Sequence, residues 1–328
     1  MADSIHSISV YCTIFDAEYL PRALALHASL IRVNTTARFA FFCVDDRSAE
    51  LLNKITPERS IIIQHDQFST PELARIRTHR SRGEYCWTCK PIALDYLART
   101  MTDADWLVYV DADMLFFSDP DLALPGTDRH YVLTPHRFHE AFERYANSAG
   151  DFNAGYVAAR RSPEGQQAID WWGDRCIESC SFIPTATTFA DQKYLDQLPV
   201  LFPFGSTAPT PGLNAAPWNI ENYRVHERGG RIYLDEHPLV LYHFQGLKIL
   251  SNRLVDLYAG SRRLSTALRK LIYAPYLTQL AATYQMLQLR CPELAPKVAG
   301  WPCRRRDWVK LAMALVRGYR NLVRFPVA

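Results

Sequence analysis

Acid is almost missing from the last quarter of this chain. From Ser251 onward, 14 Lys/Arg stand against 3 Asp/Glu, a net +11; the formal +3 of the whole chain leaves the first 250 residues near −8. Such asymmetry points to an acidic partner for the basic part. No apolar run reaches the length of a membrane span, which excludes a spanning helix. The opening MADSIHSISVYC has neither a basic n-region nor an apolar h-region, so no signal peptide and a cytoplasmic location are expected. Internal repeats and low-complexity segments are lacking. The eight cysteines are scattered through a chain too large to need staples, and reduced thiols are expected. Cys86 and Cys89 form a CxxC, and Cys176 and Cys180 a CxxxC. A redox pair or a four-thiolate zinc site is the other reading, although the CxxC precedes Lys-Pro instead of opening a βαβ unit.

A content of 48% hydrophobic and 22% charged residues, over 328 residues, is that of a globular protein with a sizeable core. Residues 8–15 are apolar and β-prone. Residues 19–33 carry Leu20, Ala23, Leu24, His27, Leu30 and Ile31 at helical spacing. A strand over 38–44, a short helix over 48–55 and a strand over 60–63 follow. This β-α-β-α-β start signals an α/β fold with an open, mostly parallel sheet flanked by helices. Residues 64–85 read as a long loop or irregular helices. Pro91 suits the first turn of a helix running to about Met101. Strands are expected at 106–110, 131–134, 155–159 and 239–242, helices at 163–179 and 190–197, and a structured loop at 199–217. The domain division expected is 1–250 for an α/β domain and 251–328 for a basic helical appendage.

Several constellations bear chemistry. In WLVYVDADMLFF, an apolar strand delivers Asp111 and Asp113 to the rim of the sheet, where ligands bind in open α/β folds. Two carboxylates plus substrate phosphates suit Mg²⁺ or Mn²⁺; a bare DxD can equally be a solvated strand end. In LVLYHFQGLK, His243 follows a strand; it is a borderline ligand that Mn²⁺ accepts, although a His so placed is more often a hydrogen-bonded structural one. Gly246 lets backbone approach a phosphate and Lys248 can neutralise it. Asn153, in DFNAGYVAAR, can donate to and accept from sugar hydroxyls, and Ala154 and Gly155 leave room for a ligand. Asp191-Gln192 opens the expected helix at 190–197, where Asp191 alone would read as a cap. Lys90 is expected near a helix start, where it could meet a phosphate or, as is usual for such a residue, be solvated. Asn214, Trp218 and Asn219 can line a sugar site or simply fill a loop.

The order of these motifs resembles the GT-A nucleotide-diphospho-sugar transferases over residues 7–250. It is closest to the retaining family 8 type that includes glycogenin and bacterial lipopolysaccharide galactosyltransferases. The resemblance implies a Rossmann-like mixed sheet in 1–250. It also implies a divalent metal, Mn²⁺ or Mg²⁺, on Asp111, Asp113 and His243, with a UDP-sugar the favoured donor. Asn153, Ala154, Gly155, Asp191 and Gln192 then map to the donor sugar, and Ala112 and Lys90 also to the donor. The base-binding strand end maps to Tyr11, Thr13 and Asp16, with Tyr19 stacking on the base. Gly246 and Lys248 map to the diphosphate. Two departures stand out. The family motif His-x-x-Gly-x-x-Lys-Pro-Trp is here one residue shorter before Lys248 and lacks Pro-Trp, and CTIFDAEY replaces an acidic, Asn-containing run.

The implied activity is metal-dependent transfer of a sugar, with retention, to a glycan or lipid-linked acceptor in cell-envelope glycan biosynthesis. Gln192 is then placed beside the reacting sugar and Asp191 on a donor hydroxyl. In the tail, Trp308, Leu311, Ala312, Leu315, Tyr319 and Leu322 fall on one helical face, with Lys310, Arg317, Arg320 and Arg324 on the other. A basic amphipathic helix of this kind lies on an anionic membrane, or packs on the domain with its basic side in water. No nucleic-acid module is recognisable. The rival readings are a non-catalytic nucleotide-sugar-binding or scaffold protein and a DxD phosphohydrolase of the haloacid dehalogenase type. The latter normally carries its motif on the first strand.

Overall fold

The computed structural model describes residues 8–126, 128–251, 254–260, 262–293, 312, 316 and 321–326. The chain begins with β1 (Ser9–Phe15), α1 (Leu20–Val33), β2 (Arg38–Cys43), α2 (Asp46–Ile55) and β3 (Ser60–Ile63). Short helices α3 (His65–Phe68) and α4 (Pro71–Arg77) lead to α5 (Arg82–Thr100). β4 (Trp106–Val110), β5 (Met114–Phe116), β6 (Tyr131–Pro135), the one-turn α6 (Ala146–Ala149), β7 (Phe152–Arg160) and α7 (Pro163–Glu178) complete the centre. With β8 (Ser206–Thr207), the main sheet runs β3-β2-β1-β4-β7-β6-β8. β3, β2, β1 and β4 are parallel neighbours; β7 runs antiparallel to both β4 and β6. This is the mostly parallel, mixed sheet that the β-α-β-α-β start and the family resemblance implied.

Every residue of β1 and β4 is buried, because helices cover both faces of the sheet. On one face Tyr11, Phe39, Phe41, Trp106 and Val108 pack with Leu24 of α1 and Leu51 and Leu52 of α2. On the other, Val10, Cys12, Phe42, Leu107 and Tyr109 pack with Leu94 and Leu97 of α5 and Trp172 of α7. α7 packs on α5 at Gly173, where even a Cβ would meet Ile92 and Pro91 only at ordinary contact distances of 3.6 and 3.8 Å.

The start of α5 corrects one sequence expectation. Pro91 is inside the helix, not at its first turn. The helix opens nine residues earlier on a reciprocal cap, in which Ser81 Oγ accepts from Glu84 N and Glu84 Oε2 from Ser81 N. The Ser-x-x-Glu signal was legible, but a proline suggested a later start. Packing against α7 offsets the lost hydrogen bond to the Trp87 carbonyl. Similarly, the expected helix at 190–197 is a 3₁₀ turn (Lys193–Gln197) running into α8 (Leu198–Leu201).

Beyond β8 come the small sheet β9 (Val225–Arg228), β10 (Arg231–Leu234) and β11 (His237–Pro238), and then β12 (Leu241–His243). β12 pairs antiparallel with β5. β13 (Lys248–Ser251) and β14 (Leu254–Asp256) form a ribbon, followed by α9 (Thr266–Leu268) and α10 (Ala274–Arg290). These elements past residue 250 share one buried cluster with β12: Tyr242, Phe244, Tyr273, Tyr276 and Leu280 belong to it, with Phe244 and Tyr276 stacked at 3.8 Å. The amphipathic helix expected near the C-terminus lies mostly outside the described residues. Ala312 and Val316 are helical, but Leu322 and Arg324 belong to β15 (Leu322–Arg324), which pairs with β14. Buried Asn321 ties it in by donating to the carbonyls of Tyr258 and Arg262. No helix among the described residues is long and apolar enough to cross a membrane.

Candidate active site

A cavity of about 720 Å³ opens at the C-terminal ends of β1 and β4, the rim where parallel strands leave their ligands. β4 is buried along its length and its end is pinned, because Asp111 N donates to Gly155 O of β7 (2.9 Å). Asp111 Oδ1 accepts from the Tyr109 hydroxyl (2.9 Å). The Asp113 carbonyl accepts from Phe244 N (2.9 Å), and the β5–β12 pairing sets His243 opposite Met114. That ribbon carries His243, distant in sequence, to the DxD.

His243 Nε2 lies 3.2 Å from Asp113 Oδ1 and 4.0 Å from Asp111 Oδ2. One ligand atom from each of Asp111, Asp113 and His243 falls within 4.8 Å of the others, the only such group among the described residues. Two carboxylates and an imidazole form a donor set for a hard or borderline divalent cation. Burial raises the Asp113 carboxyl, but His243 beside it, then Arg22, outweigh burial and hold it at about 2. Burial lowers the His243 imidazole, and Asp113 and Asp111 more than reverse this, so it is raised. Each group thus holds the other charged, and a cation binding between them must displace the imidazole proton, since only the neutral ring can ligate. These three residues could hold a metal ion.

Lys90 is buried mid-helix, not placed at a helix start. Its Nζ is 2.9 Å from Asp111 Oδ1, 3.1 Å from Asp191 Oδ2 and 3.3 Å from the Ala154 carbonyl. An ammonium enclosed by three oxygens has little left to offer a phosphate; here it joins two carboxylates. Asp191 is anchored by its carbonyl, which accepts from Trp172 Nε1 (2.8 Å). Its Oδ2 receives no well-aligned hydrogen bond despite the ion pair. Asn153 Oδ1 accepts from Gly155 N and Asn214 Nδ2, both at 2.9 Å. Asn153 Nδ2 donates to Gln192 Oε1 (3.2 Å), and Gln192 Nε2 donates to the Ala149 carbonyl (2.8 Å). Asn219 and Asn214 are buried behind this chain, while Trp218 meets His243 edge to face at 5.3 Å.

Asp16, Tyr19, Lys90, Asp111, Ala112, Asp113, Asn153, Gly155, Asp191, Gln192, His243 and Gly246 all line the cavity. Four expected residues do not. Tyr11 points into the core beneath α1, donating to Asp121 Oδ1 (2.5 Å). Thr13 is buried in the same central strand, of which only the end, Ile14–Asp16, reaches the rim. Ala154 is buried behind the cavity, and only its carbonyl is used. Lys248 is exposed on β13, opposite Asp256, after the turn at Gly246 (φ 84°) has redirected the chain. Cys86, Cys89, Cys176 and Cys180 form no disulfide, and no thiol belongs to a metal-ligating group among the described residues.

Sequence reasoning missed Arg82, Trp87, the 136–149 segment and Tyr258, all of which line the cavity. Arg82, Cys86, Trp87 and Lys90 fall on one helical face, a signal readable once the helix start is placed at Ser81. Arg82 pairs with Asp16 Oδ2 (2.9 Å).

No family model matches the chain. The uncharacterized protein YfnD of Bacillus subtilis (strain 168) is 34% identical over 256 residues, spanning 77% of this chain and 82% of YfnD. The chain belongs to the same family as YfnD. YfnF of the same organism is 28% identical over 263 residues, covering 77% of this chain and 87% of YfnF. Among solved structures, the galactosyltransferase LgtC in complex with donor and acceptor sugar analogues superposes with a TM-score of 0.53. At 15% identity, that match covers 84% of this chain and 96% of LgtC. This relative of YfnD therefore has the GT-A fold of LgtC.

Gly155 gives a direct test of how the family member holds His243. A Cβ there would come within 2.7 Å of Asn153 Oδ1 and 2.9 Å of His243 Nδ1. Gly155→Ala is expected to push the imidazole off its position and weaken Mn²⁺ binding ~10–100-fold, as for loss of a ligand's supporting contacts. Mn²⁺ titration by electron paramagnetic resonance, alongside an unfolding curve to confirm the fold, measures it. Unchanged affinity would argue against His243 as a ligand.

Proposed function

We propose that this protein transfers a sugar, with retention, from a nucleoside-diphosphate-sugar to a glycan or lipid-linked acceptor, with Mn²⁺ or Mg²⁺ on Asp111, Asp113 and His243. The observation that carries this reading is the convergence of those three ligands at one cavity on the rim of a GT-A sheet. The cavity volume suits a ligand the size of a nucleotide-sugar. The Asp16–Arg82 pair supports a base with adjacent N–H and C=O groups, as uracil has. Asp16 Oδ1 is committed to Glu18 N and Tyr19 N, but Oδ2 and the guanidinium together present one acceptor and further donors. That pattern complements the adjacent N–H and C=O of uracil. Tyr19, 44% exposed beside it, offers its ring for stacking.

When bound, the cation would offset the charge that develops on the departing diphosphate. The protein's own residues set the geometry. Lys90 fixes Asp111 and Asp191 relative to each other, so the metal end and the sugar end move as one unit. Asp191 Oδ2 accepts a donor-sugar hydroxyl with its unused lone pair. Gln192, held at both ends of its amide by Asn153 and Ala149, stands beside the sugar ring and orients the acceptor. The acceptor oxygen bonds to the anomeric carbon as the bond from that carbon to the diphosphate oxygen breaks. The electron pair leaves with the nucleoside diphosphate, whose oxygen takes the acceptor proton. No protein nucleophile is assigned.

The decisive assay is release of nucleoside diphosphate from a panel of nucleotide-sugars, with and without EDTA. Metal-dependent release from a UDP-sugar is expected. No release from any donor, with the nucleotide still bound, would instead favour a non-catalytic binding protein. A second expectation concerns pH. Burial pushes the Asp191 carboxyl up to about 6 against the pull of Lys90. Below that pH it is protonated and stops accepting from the donor hydroxyl. At saturating Mn²⁺, turnover is expected to fall as pH is lowered through about 6; a flat profile from pH 7 to 5 would remove Asp191 from this role.

A further inference from the structure

The described cavity lining carries three Lys or Arg side chains, and two are already engaged. Lys90 sits between Asp111 and Asp191, and Arg82 pairs with Asp16. Arg144 has no carboxylate within ion-pair distance among the described residues. Its guanidinium lies over the ring of its neighbour Tyr145, 4.9 Å from the centroid, and donates to that hydroxyl (3.1 Å). Tyr145 is itself 45% exposed, an aromatic at a cavity wall with the guanidinium on one face.

The segment that presents this pair is firmly placed. It is a 3₁₀ turn (Glu140–Tyr145) whose entry is held by His139 N donating to the Trp218 carbonyl (2.9 Å) and by the His139 side chain accepting from Ala141 N. It continues through α6 to Ala149, whose carbonyl receives Gln192 Nε2. The wall bearing Arg144 is therefore continuous with the residue that receives the Gln192 amide. Tyr258 lines the same cavity. Its ring is confined between Gly246 and Gly260, where a Cβ would come within 3.1 Å and 2.2 Å of it.

We propose that this wall is the acceptor subsite and that Arg144 recognises an anionic group, phosphate or carboxylate, on the acceptor, with a sugar ring lying over Tyr145. The inference rests on the glycosyl-transfer reading: an acceptor whose hydroxyl reaches the donor beside Gln192 extends over residues 140–149. A planar guanidinium without a carboxylate is suited to fork onto either anion. A neutral glycan would leave that donor set unused.

The test saturates the donor site with UDP and Mn²⁺ and then titrates three probes by calorimetry: glucose 6-phosphate, glucuronate and methyl glucoside. At least one anionic probe is expected to bind ~10-fold or more tightly than the neutral one. The two anionic arms separate phosphate from carboxylate recognition. Arg144→Gln is expected to erase the preference and Arg144→Lys to keep part of it, with unfolding curves confirming that both variants fold. Equal or undetectable binding of charged and neutral sugars, or a preference that survives Arg144→Gln, overturns the proposal. Failure of every nucleoside diphosphate of the donor panel to bind with Mn²⁺ would be a different result, one against the glycosyl-transfer reading itself.

Discussion

Asp113→Ala is expected to lower donor turnover at least ~10²-fold, the scale set by loss of one preorganised electrostatic group, while leaving the protein folded. Asp113 supplies one of three converging ligand atoms and is the nearer carboxylate to His243, at 3.2 Å against 4.0 Å for Asp111. Its removal leaves an incomplete set of one carboxylate and one imidazole. The effect on stability should be small for a specific reason. His243 is buried and is raised only because the carboxylates hold its proton. Once Asp113 is gone, burial dominates and the imidazole sheds its proton, so no uncompensated charge stays inside. Asp113→Asn tests the same point with less change in shape. Both variants are assayed for UDP release over a Mn²⁺ series and by thermal unfolding. Turnover within a few-fold of the parent across the whole Mn²⁺ series, with no shift in its metal dependence, would sink the metal role; inactivity with a collapsed unfolding curve would shift the question to Asp113→Asn.

Local periodicity revealed much of the parallel half of the sheet and of α1, α2 and α7, because those segments are long, regularly patterned and buried on a fixed face. The individual ligands of the candidate metal site were legible too. WLVYV before Asp111 reads as a buried strand, and His243 follows a second one. What no local pattern carries is the β5–β12 pairing that joins them, since three-residue strands leave almost no periodicity. Lys90 shows the limit differently. A lysine beside a proline reads as a helix start, yet it occupies the middle of α5 with two carboxylates around it, and only tertiary packing decides that. Lys248 failed for a backbone reason: the turn at Gly246 sends the next residues along the exposed ribbon. Tyr258 carries no local signal of its place in the cavity, because the fold of the chain past residue 250 back onto β12 brings it there.

Lys90→Met should be the most destabilising single change at the site, by ~3–5 kcal/mol, the cost of breaking a buried ion pair from one side. The side chain is 4% exposed and Asp191 3%, so water cannot replace what is lost. Burial works against the ammonium, yet Asp111 and Asp191 more than offset it and hold Lys90 above its ordinary range. Removing it leaves Asp191 buried with Asp111 nearby and no cation between them. The pH dependence then has a fixed sign. Asp191 is already raised to about 6 by burial, and without Lys90 it rises further. A carboxyl with a folded pKa above its unfolded value binds its proton more tightly in the native state. Stability therefore falls as pH rises from the unfolded value of 3.8 towards the folded one. Urea unfolding of Lys90→Met is expected to show a smaller loss at pH 5 than at pH 8. The double variant Lys90→Met/Asp191→Asn should recover much of the difference, because the amide brings no charge. An unchanged midpoint at pH 8, or a double variant no more stable than the single, would mean that Lys90 does not hold the two carboxylates together.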